Sequence, residues 1–131
     1  MQMTLFVVFA MFGLFINQDE EKTIIFYGDS LTAGYGLDPE SAFPAIIKEK
    51  LDNDLKNYRV VNAGVSGETS SGGLTRINWV LNQPVDIFIL ELGANDGLRG
   101  IPTDATVEKP AESHWTFAHW ATIVAVSVEL R

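Results

Sequence analysis

The sequence predicts an α/β fold, a three-layer sandwich around a parallel sheet, and three observations predict it. Apolar runs rich in β-formers alternate with amphipathic stretches at helical spacing. The runs lack a polar face, as strands covered on both sides require. Each run ends in a cluster drawn from Gly, Asn, Asp and Ser. The order strand, helix, strand, helix, strand implies right-handed βαβ units.

Thr23 to Tyr27 forms the first apolar run and stops at Gly28. Pro39 then precedes Ser41, read as a helix N-cap, and Phe43, Ile46, Ile47, Leu51 and Leu55 recur at helical spacing with Lys and Asp between them. Pro44 falls in the first turn, where the missing N–H costs nothing. "YRVVNAG", Tyr58 to Gly64, reads as the second strand. "GLTRINWVLN" reads as the second helix, with Leu74, Ile77 and Leu81 on one stripe and Pro84 beyond its end. Val85 to Gly93 is a third, almost wholly apolar strand. Beyond Thr106 the character changes: both histidines and two of the three tryptophans follow, Pro110 interrupts any helix, and Val124, Val126, Val128 and Leu130 alternate as in a strand. The expected organisation is a leader or anchor with a polar linker over 1–22, an α/β domain over 23–106 and an atypical tail over 107–131.

Composition removes several function classes. With 17 acidic against 9 basic side chains, the formal charge of -8 repels nucleic-acid backbones and anionic membrane surfaces. There is no cysteine, so thiolate chemistry and cysteine-ligated metals are excluded. His114 and His119 are five apart, which does not align two ligands on one helical face, and no metal site is expected. Leu5 to Ile16 is apolar nearly throughout, long enough for a signal-peptide core and short of the ~20 residues of a spanning helix. Export to the periplasm or beyond is the leading reading. A partner-docked helix and a short anchor touching the membrane through residues 4–16 are the alternatives. Oligomeric state is unreadable.

A parallel sheet gathers the loops after its strands at one edge, where open α/β sheets bind ligands. At these strand ends stand Gly28-Asp29-Ser30, then Asn62-Ala63-Gly64 followed by "VSGETSSGG", and Gly93-Ala94-Asn95-Asp96. Acyl transfer needs a nucleophile beside donors aimed at the developing oxyanion. Ser30 offers a hydroxyl, Gly64 a backbone N–H without a shielding Cβ, and Asn95 a side-chain N–H. Singly, each has a plainer reading as a cap or turn residue; three on successive strand ends favour the site. Asp29 is expected to bond backbone N–H groups of its own turn. Asp96 stands between a cap and a site residue, and Glu68 and Arg76 between solvated and loop-fixing charges.

"GDSLTAGYG", "NAGVSGETSSGG" and "LGANDGLRG" resemble three blocks of the GDSL or SGNH hydrolases, in particular the bacterial arylesterase, acyl-CoA thioesterase and lysophospholipase subgroup. The resemblance covers about Thr23 to Thr106. It implies a flavodoxin-like sandwich, a serine hydrolase of lipid or acyl-CoA esters and thioesters, no cofactor, Ser30 as nucleophile and Gly64 and Asn95 as oxyanion donors. Gly97 to Pro102 resembles the family's loop over the acyl chain. The family's C-terminal Asp-x-x-His is absent, since Ala111 stands three before His114 and Thr116 three before His119. Three expectations follow: a truncated or frame-shifted, impaired hydrolase; His114 or His119 as surrogate base; or a non-catalytic acyl-binding module. A carbohydrate esterase is the enzymatic alternative.

Overall fold

A computed structural model describes residues 20–102 and 124–127. The apolar run over 5–16, His114 and His119 lie outside the described residues. The elements are β1 (Lys22–Gly28), α1 (Ser30–Ala33), a 3-10 turn (Pro39–Ser41), α2 (Phe43–Asn53), β2 (Tyr58–Gly64), α3 (Ser70–Val80), β3 (Ile87–Glu91), α4 (Ala94–Leu98) and β4 (Val124–Ser127). The sheet order is β2-β1-β3-β4.

β1 is central, and its residues from Thr23 to Gly28 are all buried. It pairs in parallel with β2 and β3, Ile25 opposite Val61 on one side and Phe88 on the other. This register selects one face for Ile25, Tyr27 and Phe88, which cluster with Ile77 and Val80 of α3 and with Val61, Ala63 and Leu90. Ile24 and Phe26 point the opposite way, as period-two strands require. Phe26 meets Phe43 of α2 edge-on at 5.3 Å and 82°, so helices cover both faces. Burying one such side chain contributes about 1.5–3 kcal/mol.

The element ends differ from the sequence reading in instructive ways. Ser41 closes the 3-10 turn, and Ala42 takes the cap position of α2 without a side-chain bond. α3 begins earlier than its apolar stripe, at Ser70, because the Thr69 side chain accepts from Gly72 N at 3.3 Å. β3 is shorter than the apolar run: Val85 and Leu92 are buried in the core without belonging to the strand. The alternation after Val124 folds as β4, which runs antiparallel along β3, from Ile87 opposite Ser127 to Leu90 opposite Val124.

The register also levels the strand ends. Gly28 lies opposite Gly64 on one flank and Glu91 on the other, so the three loops leave the sheet side by side.

Candidate active site

Ser30 is the first residue of α1, directly after β1 turns. Asp29, 1% exposed, caps this short helix: its Oδ1 accepts from Leu31 N at 3.0 Å. Thr32 is fully buried beneath the turn, and its Oγ1 donates to Glu91 Oε2 at 2.9 Å. Burial holds the Glu91 carboxyl above its ordinary range; the Thr32 hydroxyl bond opposes this, and the nearby Asp29 charge adds to it. Among the described residues nothing hydrogen-bonds Ser30 Oγ, and Ser30 is only partly buried. The turn is therefore fixed from below, while among the described residues no bond ties its hydroxyl.

Gly64 is required by close approach. A Cβ there would lie 2.2 Å from Ala33 N and 2.7 Å from Thr32 C, inside the backbone of α1. Asn62 joins the same two segments: its Nδ2 donates to Thr32 O at 2.9 Å and its Oδ1 accepts from Gly64 N at 3.0 Å. Val65 N donates to Gly28 O at 2.9 Å, continuing the contact past the strand ends.

Asn95 lies in the first turn of α4, and its carboxamide reaches back to the nucleophile turn. Nδ2 donates to Asp29 Oδ2 at 3.1 Å and to the Glu68 carbonyl at 3.0 Å. Asp96 caps another helix across space, its Oδ2 accepting from Ser70 N at 2.8 Å and Ser70 Oγ at 3.2 Å. The structure thus joins the segments bearing Ser30, Gly64 and Asn95 through Asp29, Asn62 and the α1 backbone.

Glu68 and Arg76 are not solvated. Their side chains are 7% and 21% exposed, and they form a two-pronged ion pair. Arg76 Nη2 also donates to Ala63 O at 2.8 Å and, more weakly, to Gly28 O at 3.4 Å, with its guanidinium 4.0 Å above the Tyr27 ring. Burial works most strongly against the guanidinium's charge, but the Glu68 hydrogen bond and the Tyr27 and Glu68 charges together outweigh it and hold Arg76 above its ordinary pKa. Burial likewise raises the Tyr27 phenol, against the attraction of Arg76. Among the described residues no group of three His, Asp or Glu side chains could hold a metal ion.

Residues 26–129 match the GDSL-like lipase/acylhydrolase family. The chain belongs to this family. GDSL relatives include the esterase TesA of Pseudomonas aeruginosa, 40% identical over 89 residues that make up 67% of this chain and 44% of that protein. Another is thioesterase 1/protease 1/lysophospholipase L1 of Escherichia coli K12, 42% identical over 64% of this chain and 39% of that one. Among solved structures, the SGNH-hydrolase family esterase AlinE4 superposes with a TM-score of 0.62 at 42% identity, covering 68% of this chain and 49% of its own. The chain spans less than half the length of these GDSL relatives. Their names denote esterase, thioesterase, protease and lysophospholipase activities.

Sequence reasoning missed Thr32 and Glu91 as supports of the site, and it singled out the loop holding Asn62 without giving Asn62 a role. Thr32 follows Ser30 by only one intervening residue, and Glu91 sits at the end of an apolar strand. A polar residue at such a place was the available signal.

Proposed function

We propose that this chain carries a site for hydrolysis of carboxylic esters or thioesters, with Ser30 as the nucleophile. What supports the reading above all is the bond between Asn95 Nδ2 and Asp29 Oδ2, which puts the carboxamide beside the residue preceding Ser30. Ser30 Oγ adds to the substrate carbonyl carbon as its proton passes to a base. Gly64 N–H, Asn95 Nδ2–H and the Ser30 amide would stabilise the oxyanion. Collapse of this intermediate expels the alcohol or thiol, and water then releases the acid from the acyl-enzyme. His114 and His119 are the imidazoles in the sequence that could serve as the base.

A second reading, an acyl-binding module without turnover, is favoured by a specific observation. Both protons of Asn95 Nδ2 and the proton of Gly64 N already have acceptors within the protein. Hydrolysis of a short p-nitrophenyl ester separates the readings. Ser30→Ala is expected to reduce turnover to background, a loss on the order of 10⁶-fold where a triad serine acts, and His114→Ala or His119→Ala to do likewise if that residue is the base. Equal rates in wild type and Ser30→Ala, with saturable binding of a fatty acid, would establish the binding module instead. We further propose the apolar run over 5–16 as an export leader, testable by fractionation and mass spectrometry of the mature N-terminus. Among the described residues no helix is long and apolar enough to cross a membrane.

A further inference from the structure

We infer that the buried Glu68–Arg76 pair is the positioning element of the oxyanion site: it sets where the Asn95 carboxamide stands. The connection is continuous. Arg76 grips both carboxylate oxygens of Glu68 through Nε and Nη2. The main-chain carbonyl of that same Glu68 accepts from Asn95 Nδ2 at 3.0 Å. The other Asn95 proton goes to Asp29, whose second oxygen holds Leu31 N beside Ser30. The remaining Nη2 proton goes to Ala63 O at 2.8 Å and is shared weakly with Gly28 O at 3.4 Å, the last carbonyls before Gly64 and Asp29.

One fork therefore references three loops to a common point. Its stacking on the Tyr27 ring ties that point to the core, since Tyr27 is fully buried and its hydroxyl donates to Gly73 O in α3. A planar guanidinium has five donors in fixed directions and can meet a carboxylate with two while keeping others for carbonyls; a lysine ammonium cannot reproduce that geometry. The Glu68 carboxylate faces Arg76, and its carbonyl faces Asn95. Glu68 and Arg76 act through Asn95 and touch no substrate, so they are positioning residues.

The inference rests on the esterolytic reading for its kinetic arm alone. In full-length protein, R76K and E68Q are compared with wild type by heteronuclear NMR, the Asn95 side-chain amide signals being assigned by their disappearance in N95A. The expected result is that these signals shift and their protons exchange at least about fivefold faster in both variants, while the β1, β2 and β3 backbone amides keep their protection. In parallel, kcat for a p-nitrophenyl ester falls about tenfold with KM within about twofold. Unmoved Asn95 signals overturn the inference, as does an unchanged kcat in an active wild-type background. Loss of the fold in both variants also overturns it, because the pair then serves the scaffold as a whole. If wild type hydrolyses no ester, the catalytic reading falls, and the Asn95 signals still decide whether the pair positions the carboxamide.

Discussion

The floor of the site and its rim are built on opposite terms. Asp29 and Thr32, on the floor, are 1% and 0% exposed, and each is tied by hydrogen bonds to another segment. Tyr35, just past α1, and Leu98, the last residue of α4, are 78% and 85% exposed. Leu31 and Leu37 are exposed with them. Polar bonds have direction and can set atoms to a fraction of an ångström, whereas apolar contact is indifferent to orientation. The floor can therefore define a reaction geometry, and the rim can only favour or disfavour what approaches it.

Substitutions at each level put that contrast at risk. On the floor, Asn95→Ala should lower kcat on the order of 10²–10³-fold, the usual cost of one oxyanion donor, with the protein still folded by circular dichroism. A loss below tenfold would detach Asn95 from the chemistry. Gly64→Ala adds a Cβ 2.2 Å from Ala33 N. α1 must move, and chemical denaturation should show destabilisation of about 1–3 kcal/mol; an unchanged midpoint would mean that β2 and α1 are less closely joined than described.

The effect of Glu91→Gln should depend on pH. Because the folded carboxyl binds its proton more tightly than the unfolded one, native stability falls as pH rises from the ordinary carboxylate range through the raised value, and stays lowered above it. Glutamine cannot ionise and still accepts from Thr32. The variant's melting temperature should exceed wild type at neutral pH, and the gain should vanish in acid below that range. A constant difference at every pH would remove Glu91 ionisation as its cause. At the rim, Leu98→Ser should shift stability by no more than about 0.5 kcal/mol and change KM for long acyl chains more than for short ones. A change in kcat with chain-independent KM would erase the distinction between rim and floor.

How much of this was legible varied with the physics involved. β2 is legible to the residue, because its ends coincide with a break in β-formers on one side and a glycine needed for close approach on the other. β3 is overrun at both ends, because hydrophobicity reports burial, and Val85 and Leu92 are buried outside the strand. Parallel pairing of three strands follows from their apolar character, but the antiparallel direction of β4 depends on the path of the intervening chain, which no local pattern encodes. At the site, Asp29 bonds the backbone of its own turn as its proximity to Ser30 implies. The two-pronged Glu68–Arg76 pair was legible only as charge. Whether a charge is solvated or buried depends on packing against Tyr27, far earlier in the chain.

If Gly64 N–H is an oxyanion donor as proposed, its bond to Asn62 becomes a built-in comparator. An approaching oxygen must displace a neutral carboxamide acceptor that is already in place. An ester carbonyl, itself neutral, gains little by the exchange, while the alkoxide formed on attack, carrying full charge, wins it decisively. Such an incumbent would mute affinity for the resting ligand and leave the reward for the moment of bond formation.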